Sequence, residues 1–195
     1  MSDARRPEAF QARLLESVLQ PLLDGKRLVI LDLGPPGSSK LEFFSGFRCR
    51  LGIAGVAAAL PELDEQTDAA GRQRLLKEML PERSFGGTDL VLCWDLLNYL
   101  RPPAIGALME HVHGLLREGA MVHALVAYSA SALPEPPQPM DLRSDGWVDR
   151  SGQTSPDTRP APRYSTGELQ RLMPGFQVER AMLLKNGTQE YLFRR

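Results

Sequence analysis

The chain has 195 residues, of which 43% are hydrophobic and 24% charged, the make-up of one ordinary globular domain with a sizeable core. A formal net charge of −1, with no polybasic cluster, argues against a nucleic-acid or anionic-membrane binder. No apolar run approaches the roughly 20 residues of a membrane span, and the first residues lack the apolar centre of a signal peptide.

The two cysteines, Cys49 and Cys93, fall inside expected strands as small core residues rather than as a disulfide, so a cytoplasmic protein is expected. Residues 7–23 read as an amphipathic helix, with Phe10, Leu14, Leu15, Val18 and Leu22 at helical spacing and Asp24-Gly25 as the stop. The run 27-RLVILDLG-34 has the continuous apolar character of a strand buried on both faces. Ser39 with Glu42 fits a capping box, predicting a short helix that carries Leu41, Phe43 and Phe44. A strand is expected at 49–56, a helix at 64–80, a doubly buried strand at 88–94, a helix at 104–117 and a strand at 120–128.

From Ser129 to Arg163 there is no useful periodicity, and seven prolines interrupt the stretch. A long loop of this kind in a compact domain is a functional lid or a linker. Ser165 with Glu168 makes a second capping box and starts a helix to about Met173. Two closing strands, 176–184 and 188–195, flank Asn186-Gly187, a strong hairpin signal. Early alternation of strand and helix predicts an α/β, doubly wound, mostly parallel sheet, with the final hairpin adding an antiparallel strand. The whole of 1–195 reads as a single domain with a lid or insertion at 129–163.

The stretches 28-LVILDLG-34, 84-SFGGTDLVLCWDLLNYL-100, 115-LLREGAMVHAL-125 and 174-PGFQVERAMLLKNGTQEYLFRR-195 resemble the Rossmann-like (class I) S-adenosylmethionine-dependent methyltransferases. The resemblance covers nearly everything but the 129–163 segment. It implies a methyltransferase-type fold, S-adenosylmethionine as cofactor, and methyl transfer to an unknown small-molecule or protein substrate. In the family's acid-x-Gly-x-Gly-x-Gly turn, this chain places Asp32, Gly34, Pro36 and Ser38, with Gly37 between the last two. The resemblance makes Asp32, Gly34, Gly37, Ser38, Trp94 and Asp95 the candidate cofactor-binding residues.

Pro36 fixes φ and donates no N–H, so one donor to a ligand is lost. Gly37 is expected to supply the unusual backbone angle instead, and the N–H groups opening the next helix still suit an anion. The turn therefore either keeps a ligand or serves only as structure. The acid that the family uses for the ribose hydroxyls is missing, because 53-IAGV-56 ends the second strand without Asp or Glu. Glu62 or Asp64 are the nearest replacements. The acid expected before Leu80-Pro81 is missing too.

Asp95 is a candidate to face the sulfonium or take a proton from a nucleophile, and Tyr99 is a weaker catalytic candidate. Trp94 or Tyr99 would wall the pocket. The competing assignments make Asp95 a helix cap and the aromatics core. His111 and His113 are two apart on a helix and cannot form an i, i+4 metal pair, so no metal is expected. Trp147 either anchors the Pro-rich loop or meets a ligand. Two functions are therefore expected in competition: a methyltransferase with a degenerate cofactor site, and a non-catalytic pseudoenzyme of the same fold that binds a partner or small molecule.

Overall fold

The computed structural model describes residues 9–143, 146–150 and 157–195. The expectations for residues 7–8, 144–145 and 151–156 lie outside that range. A six-stranded sheet forms the centre. Its strands are β2 (Leu28–Asp32), β3 (Cys49–Ile53), β4 (Thr88–Trp94), β5 (Leu116–Ala127), β10 (Gln177–Leu183) and β11 (Thr188–Arg194), in the order β10-β11-β5-β4-β2-β3. β3, β2, β4 and β5 run parallel, while β11 is antiparallel to both β5 and β10. The expected doubly wound sheet with a closing hairpin is what forms.

Two apolar layers sandwich the sheet because alternate residues of β4 point to opposite faces. Val91 and Cys93 join one core with α6 (Pro102–Leu115). Leu90, Leu92 and Trp94 join the other, with α1 (Arg13–Leu23). Pro102 and Pro103 sit in the first turn of α6, where a missing N–H costs nothing. α7 (Thr166–Leu172) starts at the expected Ser165–Glu168 capping box. Among the described residues no helix is long and apolar enough to cross a membrane.

Four local expectations need correction. The N-terminal helix begins only at Arg13, because Ala9–Gln11 form β1 and pair with β8 (Trp147–Arg150). Phe10, counted there at helical spacing, is buried from a strand. The expected helix 64–80 is two helices, α3 (Val56–Glu65) and α4 (Ala69–Met79), separated by a break that Asp68 caps through Gly71 N–H. A very short α5 (Glu82–Phe85) precedes β4. α2 (Ser38–Ser45) has no side-chain cap, because its N-cap is Gly37 and the expected cap, Ser39, lies inside the helix.

The fourth correction concerns the 129–163 segment, which contains structure where no periodicity was legible. β7 (Met140–Leu142) pairs with β8, extending the small sheet begun by β1. β6 (Ala132–Pro134) pairs with β9 (Thr158–Pro160). Each strand has only three or four residues, too few for a period of two to show. Met140, Leu142 and Val148 are buried in the same core as Trp94, so β7 and β8 are packed onto the domain.

Candidate functional site: a crevice filled from within

In an open parallel sheet the ligand crevice lies beyond the carboxyl ends of the strands, where the strand order reverses. Here the chain leaves β2 towards β3 and returns on the other side to β4. That point is bounded by Asp32, ending β2, and by Trp94 and Asp95, at the end of β4. The structure therefore brings Asp32, Gly34, Trp94 and Asp95 together, as their sequence positions imply.

The partners that Asp32 meets in the crevice are the protein's own. Asp32 Oδ1 accepts hydrogen bonds from Gly34 N–H at 2.8 Å and from the Trp94 indole N–H at 2.7 Å. The Lys40 ammonium lies 2.5 Å from Asp32 Oδ2, and both side chains are completely buried. Lys40 also donates to the Pro35 carbonyl at 2.7 Å and sits 5.5 Å from the Trp94 ring centre. One carboxylate thus ties together β2, the turn, α2 and the end of β4.

Gly34 shows how complete the filling is. A Cβ there would stand 2.5 Å from Trp94 Cδ1 and 3.2 Å from Asp32 Oδ1. In a nucleotide turn, glycine lets a ligand approach the backbone; here the Trp94 indole makes that approach. Trp94 itself has φ of +50°, a left-handed conformation costing a bulky residue about 1–3 kcal/mol. Its indole bond and full burial offset that strain.

Two strands of the 129–163 segment, β7 and β8, reach the crevice. Asp141, on β7, accepts a hydrogen bond from Ser39, and its Oδ1 lies 3.3 Å from where a Gly37 Cβ would be. Arg150, on β8, donates to Asp95 Oδ2 at 2.8 Å, with both side chains largely buried. Lys40 and Arg150 thereby match the charges of Asp32 and Asp95. Among the described residues the crevice presents two internal ion pairs.

The remaining candidates are placed differently from expectation. Gly37 has φ of −151°, ordinary extended backbone, so it supplies no unusual angle; its smallness admits Asp141. Ser38 is exposed at the start of α2. The Asp95 side chain makes no cap, although Asp95 stands at the start of the 3-10 turn Leu96–Tyr99. The Tyr99 hydroxyl donates to the Pro134 carbonyl at 2.8 Å. Burial, then the Asp95 charge, raises the Tyr99 hydroxyl well above its usual range. Burial in the core shared with α6 pushes the Cys93 thiol up to about 12, with the Asp95 and Asp32 charges adding to the effect.

Among the described residues no acid replaces the missing one at the end of β3. Ala54 and Val56 are buried there, and Glu62 is exposed on α3. Asp64 does not reach the crevice. It accepts from the Arg101 backbone N–H at 2.6 Å and from Arg101 Nε at 2.8 Å, fixing the start of α6. His111 bonds the Leu80 carbonyl at 2.8 Å, and His123 bonds Glu190 at 3.0 Å inside the core. Trp147 is 38% exposed on β8, opposite Gln11.

Sequence reasoning passed over the residues that decide the site. Lys40 carried one available signal: it lies four residues before Phe44, on the helix face that meets the core. Asn98 carried none. Its amide donates to the Asp95 and Leu125 carbonyls at 2.8 and 2.9 Å and accepts from Ala127 N–H at 2.9 Å, fastening the end of β4 to that of β5. Glu190 accepts from Leu14 and Leu15 N–H at 3.1 and 2.8 Å and so caps α1, whose own N-cap, Ala12, cannot.

Sheet order, parallel core and reversed last strand define the fold of the class I S-adenosylmethionine-dependent methyltransferases. The structure is similar to that of the 1,6-didemethyltoxoflavin-N1-methyltransferase of Burkholderia thailandensis, crystallised with 1,6-didemethyltoxoflavin and S-adenosylhomocysteine. The TM-score is 0.50 at 17% identity over 94% of this chain and 77% of that one. It is also similar to the magnesium protoporphyrin IX methyltransferase of Synechocystis PCC 6803, crystallised with S-adenosylmethionine. There the TM-score is 0.51 at 14% identity over 94% and 79% of the two chains. At these identities the likeness is one of fold. No protein-family model and no curated protein matches the chain.

Proposed function

We propose that this chain is a non-catalytic methyltransferase-fold protein, a pseudoenzyme that binds a partner or small molecule without transferring a methyl group. The observation that carries the proposal is the Asp32 carboxylate, buried and engaged by Gly34, Trp94 and Lys40. The resemblance lets this acid hold either the turn or a ligand's amino group; here it holds the turn through Gly34 N–H, and its other oxygen meets the protein's own ammonium, Lys40. The missing acid after β3 removes the ribose contact as well. Two unpaired thiols, Cys49 and Cys93, suit a cytoplasmic setting.

One observation favours a second reading, a methyltransferase with a degenerate site: both neighbours named above were crystallised with S-adenosylmethionine or S-adenosylhomocysteine. A cleft of about 320 Å³ beside the crevice, lined by Leu60, Asp64, Tyr99, Glu135 and Arg159 among others, offers that reading some open space. Titration calorimetry of the unmodified chain with S-adenosylhomocysteine and S-adenosylmethionine separates the two. No saturable heat up to about millimolar ligand is expected. Binding at low micromolar concentration would overturn the pseudoenzyme reading, because Lys40 and Trp94 would then have to yield readily.

A further inference from the structure

The opposite end of the sheet carries a feature that the fold's usual crevice does not explain. At the amino ends of the parallel strands, the second residues form a row in sheet order: Arg50 on β3, Val29 on β2, Asp89 on β4 and Arg117 on β5. Val29 and Arg50 are direct partners in register. Arg27 stands just before β2. Together with Gly86 these residues line a cavity of about 390 Å³, within the range of small-molecule sites.

The charges in this cavity are unbalanced and partly fixed. It holds three guanidiniums and one carboxylate. Asp89 is occupied twice, by Val29 N–H at 2.8 Å and by Arg117 at 3.2 Å. Arg50 donates to the Gly86 carbonyl at 2.9 Å. The Arg117 guanidinium passes 3.5 Å from where a Gly87 Cβ would be, over a residue whose φ of +75° already demands glycine. Two arginines are therefore held facing the cavity before any ligand arrives. Arg27 makes no hydrogen bond or ion pair with the described residues.

We propose that this cavity binds a phosphate group, as free phosphate or as the ester of a small metabolite. Planar guanidiniums match phosphate oxygens two bonds at a time, and fixed ones lose little freedom on binding. The chain's net charge of −1 makes a nucleic-acid backbone the poorer ligand, since that requires a long basic track rather than one cavity. This site lies at the other end of the strands from the crevice. It stands whether or not S-adenosylmethionine binds.

The test is a titration of 15N-labelled full-length protein with inorganic phosphate and, separately, with adenosine monophosphate, followed by amide shifts. Saturable shifts centred on Gly86 and Gly87 are expected. Equal affinity for both probes identifies the bare phosphate as the ligand, and tighter binding of the nucleotide identifies an ester. Arg27→Gln together with Arg50→Gln should weaken binding about tenfold or more. Arg163→Gln with Arg171→Gln, which removes the same charge elsewhere, should leave it unchanged. Arg27→Gln alone keeps the test valid if the double variant unfolds, since Arg27 holds no part of the fold. No saturable shift at about 10 mM of either probe overturns the proposal. So does an equal loss in the control variant.

Discussion

Replacing Lys40 by Met tests whether the crevice is held shut by its buried ion pair. Both side chains of the Lys40–Asp32 pair are fully buried at 2.5 Å. Removing one partner of such a pair costs about 3–5 kcal/mol, because the other charge stays behind uncompensated. In Lys40→Met, Asp32 retains only the Gly34 and Trp94 donors, both on Oδ1. In Asp32→Asn, Lys40 retains the Pro35 carbonyl, and the Asn oxygen can still accept from Gly34 and Trp94. The double variant strands no charge and should be no less stable than the worse single one. The coupling is then about 3 kcal/mol, at the upper end for contacting residues. A chain of this size loses about 2–4 °C of melting temperature per kcal/mol, so Lys40→Met should melt about 6–20 °C lower. Urea unfolding followed by tryptophan fluorescence measures all four corners of the cycle. If Lys40→Met costs less than about 1 kcal/mol, or if the two changes add within about 0.5 kcal/mol, the pair does not hold the crevice.

Two further outcomes test one clamp beside the crevice and one contact at the far end of the sheet. Asn98→Leu strands two backbone groups, the Leu125 carbonyl and the Ala127 N–H, since the Asp95 carbonyl keeps the Asn98 backbone N–H. At about 1–3 kcal/mol for each unsatisfied buried group, the urea midpoint should fall by the equivalent of at least about 2 kcal/mol; a change under about 0.5 would refute the bridging role. His113 lies edge-on to Phe176 and accepts a long hydrogen bond from Arg195, and burial, then the Arg195 charge, lowers its pKa below 6.5. The unfolded chain therefore binds a proton before the folded one does, so the stability this neutral imidazole contributes is present above pH 6.5 and is lost as pH falls through the depressed folded value. Between pH 7.5 and 5 the urea midpoint of His113→Asn should depend less steeply on pH than that of the unmodified chain, and identical slopes would exclude His113 as a source.

The sheet was legible because each of its strands carries its own signal. Leu28–Leu31 and Leu90–Trp94 are continuous apolar runs, as strands covered on both faces require, and Asn186-Gly187 marks the hairpin. The small strands between 129 and 163 were not legible, since three residues cannot show a period and their prolines read as breaks. The position of Asp32 was legible too, but its partner was not. Lys40 sits in a short helix with little amphipathic contrast, and its spacing from Phe44 hints at the inward face without naming Asp32 as its partner. That follows only when α2 packs across the end of β2 and β7 descends on Ser39. Gly37 was misread for a related reason. Two glycines in a turn suggest ligand approach, yet Gly34 is small for Trp94 and Gly37 is small for Asp141. The sequence pattern records that something comes close to the backbone, and does not record whether it is a ligand or the protein.

An internal ammonium is a competitor that dilution cannot remove. For an external amino group to reach Asp32, Lys40 must first leave its carboxylate, and the ligand then regains much the same interaction. The exchange gives little on its own, and the opening step weakens apparent affinity by the fraction of molecules that are open. If opening costs about 3 kcal/mol, that fraction is about 0.6%, and any intrinsic affinity for S-adenosylhomocysteine weakens about 150-fold. A site of low-micromolar intrinsic strength would then bind near the millimolar range, before the missing ribose acid is counted. Lys40→Met removes the competitor and leaves Asp32 needing a cation. In the same calorimetry, a folded Lys40→Met chain should gain about two orders of magnitude in S-adenosylhomocysteine affinity if a cofactor-shaped space exists beneath Lys40. If it gains nothing, Trp94 fills the space as completely as its contact with Gly34 implies, and the crevice is core.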